Sequence, residues 1–479
     1  MSVPLERIDD YRWRIPPTGA MRVPGLIYAS ERMVRDIRKD RAPLQVKNVA
    51  QLPGIVKRSI AMPDVHWGYG FPIGGVAAFE APTGVLSPGG VGYDINCGVR
   101  LLRSNLDRRD VGGDLEALSL ELHRAIPSGV GSKSPRALSD AELEQVLVRG
   151  AAWAVSEGHG TRRDLEVIEE GGCMDRADPD RVSDRAKARG RPQLGSLGSG
   201  NHFCELGHVA EIYDESAAAA FGLRKDQVTV MIHSGSRGLG YQVCDESLRM
   251  MLAASRTHGI DLPDRQLCAA PLNSVEAERY FGAMACAINY AFANRQMMTS
   301  FVRTALRRFL DARRDALGLD VVYDVCHNIA KWETHDVDGV PTRLCVHRKG
   351  ATRAFGPGHE LVPERYRDVG QPVIVPGDMG RYSFVLAGTA TAMSESFGSC
   401  CHGAGRRMSR KAAKKQARGR PIFRELQNKG IWVRSDSKAT VAEEIPEAYK
   451  DVAEVVEVVH GAGLARKVAK LVPLAVVKG

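Results

Sequence analysis

A carboxylate and a thiol stand close together in GYDINCG, as Asp94 and Cys97 on a glycine-flanked turn. Both become anionic ligands, so the pair suits a divalent metal ion, although a lone cysteine also serves as a small buried hydrophobe. Three histidines in similar settings enlarge the ligand set: His202 in GSGNHFCEL, His233 in MIHSGSRG and His327 in VCHNIA, each beside Asn, Ser or Gly. Imidazoles with small neighbours can converge on one ion. A mixed Asp, Cys and His set fits Mn²⁺, Zn²⁺ or Fe²⁺, with geometry selecting among them.

His402 lies in a different context, SCCHGAGRR. Gly403, Ala404 and Gly405 are small enough for a phosphate to approach the backbone and the imidazole, and Arg406 and Arg407 can neutralise it. A histidine so placed can act as a nucleophile toward phosphorus; a turn histidine beside a solvated basic patch would read the same way. The run from Arg406 through Arg410, Lys411, Lys414, Lys415 and Arg418 to Arg420 is the densest positive segment. On a helix it offers a face for a phosphate backbone. No aromatic residues are interleaved with it, so base-specific reading is not indicated.

These residues need elements to hold them. From Ala61 to Leu102 short apolar runs alternate with Gly and Pro, the pattern of short strands joined by tight turns. Helical periodicity covers Leu115 to Glu157, and the charged stretch Thr161 to Arg191 reads as an exposed helix and loop. Val228–Ile232 and Val321–Val325 are β-branched segments that run directly into His233 and His327, placing both histidines at strand ends. Between them Ser274 is a candidate N-cap, with Glu276 and Glu278 in the first turn and Met284, Ile288 and Phe292 at helical spacing on a core-facing stripe. Strands are expected again in RLCVHRKG, QPVIVPGDMG and YSFVLAG. The simplest organisation is a single α+β domain over 1–479, mixed sheets surrounded by helices, with a charged helical insertion around 140–191 and a second around 243–315.

Composition sets limits on function. With 44% hydrophobic and 26% charged residues the 479-residue chain is neither disordered nor fibrous. Its net charge of +9 favours a polyanionic partner. The ten cysteines contain no CxxC pair, and the charged N-terminus has no apolar core of a signal sequence, so a reducing, cytoplasmic location is expected.

Taken together, GGVGYDINCGVR, GSLGSGNHFCE, HSGSRGLG, CHNIAKWE, HRKGATRAF, PGDMGRYSFVL, CHGAGRRMSR and the final Lys478 resemble the RtcB family of RNA-splicing ligases. The resemblance implies that Asp94, Cys97, His202, His233 and His327 bind two manganese ions, with Cys97 bridging, and that His402 is guanylylated by GTP. It implies a guanine-nucleotide site formed by Asn201, His202, Phe203, Cys204, Glu205, His327, Asn328, Pro376, Gly377, Asp378, Met379, Ser383, His402, Gly403, Ala404, Gly405, Tyr449 and Lys478. Glu205 would accept from the guanine edge and Tyr449 would stack on it. RNA contacts are expected at Arg237, Lys349, Arg353 and Arg406. Asp378 departs from the serine that many relatives carry there.

The activity so implied joins RNA 3′-phosphate or 2′,3′-cyclic phosphate ends to 5′-hydroxyl ends, in tRNA splicing or RNA repair. Broken tRNA is the expected substrate and an archease-type protein an expected activator, the chain itself being a monomer or weak dimer. Two other classes use part of the same residue set: a metal-dependent phosphodiesterase without GTP, and a non-enzymatic RNA-binding protein. Neither requires a guanine site.

Overall fold

The computed structural model describes residues 3–310 and 317–479. Among them, two large sheets carry the fold. The larger has, in spatial order, the strands Gly318–Cys326, Gly98–Asp107, Gln227–Ser234, Phe203–Ile212, Ala465–Lys478, Ser383–Gly388 and Pro372–Val375, all antiparallel, with Trp432–Arg434 alongside Ala465–Lys478 in parallel. The second runs Glu6–Arg7, Arg12–Ile15, Gly25–Tyr28, Ser59–His66, Ile73–Glu80, Val340–Lys349 and Asn328–Val337. Helices pack around both, as expected of an α+β fold.

The two β-branched segments form strands as predicted, because Val and Ile side chains fit a pleated surface buried on both faces. One apolar cluster joins the sheets, with Ile60, Val76 and Val346 of the second meeting Val373, Phe384 and Leu386 of the first. The helix Val275–Phe309 is capped by Ser274, whose Oγ accepts from Ala277 N at 3.2 Å, and Met284, Ile288 and Phe292 on it are fully buried. The expected helical span 243–315 corresponds to the end of helix Arg237–Thr257 and to this long helix; its last residues, 311–315, lie outside the described residues.

The segment Thr161–Arg191 keeps most of its charged side chains exposed, as expected, and departs from that reading at two buried carboxylates. It forms short helices, Arg162–Leu165 and Asp184–Gly190, and sends charge inward. Asp164 is 4% exposed and accepts from both terminal nitrogens of Arg303, at 2.7 and 2.8 Å, and Glu169 is 1% exposed and accepts from Lys331 at 2.6 Å. Paired and hydrogen-bonded charges can be buried where single ones cannot.

Candidate active site

Strand register assembles the ligands. His233 lies opposite both Val99 and Phe203, and Gly98 lies opposite Cys326. The neighbours of these paired residues, Cys97, His202 and His327, therefore come to the same end of the larger sheet. Asp94 is brought in by the turn that precedes Cys97: Asn328 Nδ2 donates to Asp94 O at 3.0 Å, and Asn96 N donates to Asn328 O at 2.8 Å.

The donor atoms form two overlapping triads that share Cys97: Cys97, His233 and His327, and Asp94, Cys97 and His202. Cys97 Sγ is 3.4 Å from His202 Nε2 and 3.2 Å from His233 Nε2. His233 Nε2 is 3.3 Å from His327 Nε2, and His202 Nε2 is 2.9 Å from Asp94 Oδ2. Ligands at ordinary metal distances of about 2.0–2.3 Å are separated by roughly such spans. His202 Nδ1 donates to Leu197 O at 2.9 Å, which leaves the Nε2 lone pair for the cluster. Among the described residues, Nδ1 of His233 and of His327 is buried without a hydrogen-bond partner, so neither ring is turned by another acceptor there.

Burial, then the neighbouring cations, holds His233 and His327 well below the usual histidine range, so both rings are neutral and can donate lone pairs. Burial and the nearby Asp94 push the Cys97 thiol well up; a divalent cation reverses that balance, because a coordinated thiol is deprotonated. Asp94 is raised by burial but lowered overall by the charge and hydrogen bond of His202. The residues fit a divalent centre.

Behind the ligands lies a brace of buried polar groups that sequence patterning missed. Arg295, in the long helix and fully buried, donates to Asn96 O and Ser234 O at 2.9 Å each and pairs with Asp324 at 2.8 Å. Arg100 holds the same carboxylate at 2.7 Å. Asn294 accepts from Gly195 N and Ser196 N and donates to Gly235 O, tying the loops before His202 and after His233 to one helix.

His402 follows the short strand Ser399–Cys401, which pairs with Ala351–Arg353. Its ring lies 5.0 Å, centroid to centroid, from that of His327. His402 Nδ1 is 2.5 Å from Oδ2 of the fully buried Asp64, and the His402 backbone N–H donates to the same oxygen at 3.1 Å. A carboxylate can only accept, so Nδ1 carries the proton and Nε2 presents its lone pair. Gly405 (φ +70°) runs against this support: a Cβ there would lie 2.2 Å from Asp64 O.

A cavity of about 450 Å³ joins His402 to the ligand cluster. Its wall includes Asn201, Phe203, Glu205, His327, Asn328, Pro376, Gly377, Asp378, Met379, Ser383, Gly403, Ala404, Gly405, Tyr449 and Lys478. His202 and Cys204, also expected in the nucleotide site, are not on this wall. Cys204 lies between Phe203 and Glu205 on a strand, so its side chain points to the opposite face, into the core. His66, Tyr69, Tyr93 and Glu444 line the cavity without having been singled out, and Arg410 of the basic run lines it too.

Burial, reinforced by Asp378 and opposed by Lys478, pushes the Glu205 carboxyl up to about 8. Asp378 is itself raised by burial while paired with Arg381, whose Nη2 donates to Pro446 O and Lys450 O at 3.1 and 3.0 Å. The Asp378 carboxylate therefore ties the Pro376–Met379 turn to the segment bearing Tyr449. Tyr449 OH donates to Glu444, and Arg406 packs over the Tyr449 ring at 5.1 Å while pairing with Glu444 at 3.0 Å.

Of the residues expected to meet RNA, Lys349 and Arg406 line the cavity. The Lys349 ammonium donates to the carbonyls of Tyr69 and Gly89, and burial lowers it to about 7. Arg237 is not on the cavity wall and donates to Ser196 Oγ at 3.2 Å. Arg353 lies in the core, 1% exposed, held by Gln371 at 2.9 Å and Glu170 at 2.7 Å. Its position there braces the fold and gives no access to a nucleic-acid backbone.

The site is thus a histidine held by a buried carboxylate, next to a cluster of Asp, Cys and His side chains that could hold a metal ion, in one partly open cavity: the equipment of a phosphoryl or nucleotidyl transferase. The family model described as tRNA-splicing ligase RtcB matches residues 45–479. The chain is 55% identical over 478 residues to the tRNA-splicing ligase RtcB of Thermococcus kodakarensis, covering 100% of this chain and 99% of that one. It is 54% identical over 477 residues to the protein of the same name from Archaeoglobus fulgidus, covering 99% of each. With the RNA-splicing ligase RtcB of Mycobacterium bovis it shares 53% identity over 439 residues, 91% of this chain and 100% of that one. The chain belongs to the RtcB family of tRNA-splicing ligases, which are enzymes.

Proposed function

We propose that this protein seals broken RNA, joining a 3′-phosphate or 2′,3′-cyclic phosphate end to a 5′-hydroxyl end at the expense of GTP. The observation that carries the proposal is the orientation of His402: Asp64 occupies Nδ1, and Nε2 is left as a free nucleophile in a cavity lined by Asp94, Cys97, His233 and His327, with His202 completing their cluster behind the wall. Two divalent ions, manganese by family resemblance, would be held by those five residues and would supply Lewis-acid charge at the reacting phosphates.

His402 Nε2 attacks the α-phosphorus of GTP; a P–N bond forms, and the P–O bond to pyrophosphate breaks. Asp64 stabilises the ring as it gains positive character. An RNA 3′-phosphate oxygen then displaces His402, taking the guanylyl group, and the 5′-hydroxyl displaces GMP to form the phosphodiester. Cyclic ends are first opened by hydrolysis. Glu205 and Tyr449 hold the guanine, and Lys478, Ser383 and the small residues 403–405 let the nucleotide lie close to the backbone.

Broken tRNA is the proposed substrate, in keeping with the names of the relatives. An archease-type activator and a monomeric or weakly dimeric state complete the proposal. So does a cytoplasmic location, which the ten free thiols suit; no helix among the described residues is long and apolar enough to cross a membrane.

The test is a sealing reaction on RNA with a 3′-phosphate and a 5′-hydroxyl. Joined product that appears only with GTP supports ligation. GTP-independent cleavage without joining would contradict it and identify a phosphodiesterase.

A further inference from the structure

A second cavity, of about 550 Å³, opens at the other end of the strands Gly98–Asp107 and Gly318–Cys326. Arg103 borders it, six residues along the strand from Cys97, which is about 20 Å at strand rise. Five guanidinium groups face this cavity, those of Arg103, Arg163, Arg303, Arg307 and Arg365, against the two carboxylates of Asp164 and Asp320.

The arginines are not equivalent. Arg303 is fixed by the buried Asp164 and by Leu319 O at 2.8 Å, and forms a rigid wall. Arg103 is tied to Asp320 at 3.1 Å. Arg163 and Arg307 are exposed and make no ion pair among the described residues, while Arg365 has only the exposed Glu166, at 3.9 Å. Two unpaired guanidinium groups and a third, Arg365, held only by a long exposed pair thus converge on one concavity, an arrangement of mutual repulsion that a polyanion relieves. Guanidinium groups bind phosphate oxygens in bidentate fashion. No aromatic ring lines the cavity among the described residues, so nothing in it would stack on a base.

We propose that this cavity is a docking cradle for the RNA backbone, remote from the ligation centre and independent of base sequence; the assignment rests on the RNA-sealing function proposed above. Backbone contacts of this kind position a nucleic acid without reading it. The cradle gives a long substrate a second hold that a short oligonucleotide at the cavity of His402 does not reach.

The test is a triple variant, Arg163→Gln, Arg307→Gln and Arg365→Gln, all exposed and outside the catalytic machinery. RNA binding is measured by fluorescence anisotropy across a salt series, and guanylate incorporation from GTP is measured in parallel. The expected result is an affinity for a tRNA-sized RNA about ten-fold lower, with a log K against log salt slope reduced by about 0.7–0.9 for each lost phosphate contact, and unchanged guanylate incorporation. Unaltered affinity and slope would overturn the cradle. RNA binding that is unaltered while inorganic tripolyphosphate stabilises the parent protein and not the variant would also overturn it, and would assign the cavity to a free polyphosphate. If neither protein takes up guanylate, the ligase chemistry fails, yet the salt slopes still decide the cradle. Charge reversal at the same three positions, Arg→Glu, should deepen the loss.

Discussion

Asp64 Oδ2 lies 2.5 Å from His402 Nδ1 and 3.1 Å from the His402 backbone nitrogen, so one buried carboxylate sets both the position and the tautomer of the ring. An amide at position 64 can offer Nδ1 a hydrogen and drive the ring proton to Nε2, where it blocks attack. Asp64→Asn should therefore fold normally and lose guanylylation by up to about 10⁴-fold, the loss seen when a catalytic histidine is held in the wrong tautomer. A rate within a few-fold of the parent, measured by label transfer from GTP, would remove Asp64 from the chemistry.

Cys97 is common to both ligand triads. Cys97→Ala should thus lower the content of both ions together, whereas His327→Ala should weaken the Cys97, His233 and His327 set and leave Asp94, Cys97 and His202 in place. Metal analysis after dialysis distinguishes the two variants. Equal stoichiometry in both would contradict a shared thiolate.

Glu205 carries the pH dependence. Its raised pKa of about 8 keeps the carboxyl protonated in the free protein at neutral pH. Donors on a guanine edge require the carboxylate, so nucleotide binding should expel a proton. Affinity for GTP should rise with pH, by up to about ten-fold per unit, and level off above about pH 8. The same shift means that neutral Glu205 contributes stability that is complete below the ordinary carboxyl range and is lost as pH rises through about 8. Calorimetric titrations across this window should show the slope in the parent and not in Glu205→Gln; an identical slope in both would assign it to another group.

Arg295 and Arg100 share Asp324 with all three side chains fully buried. Asp324→Asn leaves two guanidinium groups short of a counter-charge and should cost about 3–5 kcal/mol, seen as a lowered unfolding midpoint. Because Arg295 also holds Asn96 O and Ser234 O, metal affinity should fall by roughly 10–100-fold in any folded fraction. Unchanged metal affinity would limit the brace to a stabilising role.

Much of this was legible in the sequence because local patterns coincide with the fold. Val228–Ile232 and Val321–Val325 announce strands, and register brings the histidines that end them into one cluster with Cys97. What was not legible depends on distant partners or on side-chain direction. Asp64 in MPDVHWG acquires its role only when the strand Ser59–His66 meets a loop 338 residues away. Asn289, Asn294, Arg295 and Gln296 interrupt an otherwise apolar stretch of helix that is buried on all sides; those polar residues at core positions were the available signal of a buried brace. Cys204 shows the converse, since membership of a contiguous motif does not survive strand alternation. Charge counts in Thr161–Arg191 could not separate solvated groups from the buried pairs of Asp164 and Glu169.

The central claim is that His402 becomes covalently guanylylated. Intact-mass spectrometry of the protein after incubation with GTP and Mn²⁺, beside His402→Ala, tests it most directly. A mass gain of one guanylate is expected in the parent protein and none in the variant. No adduct in the metal-loaded parent, or an equal adduct in both, would contradict it.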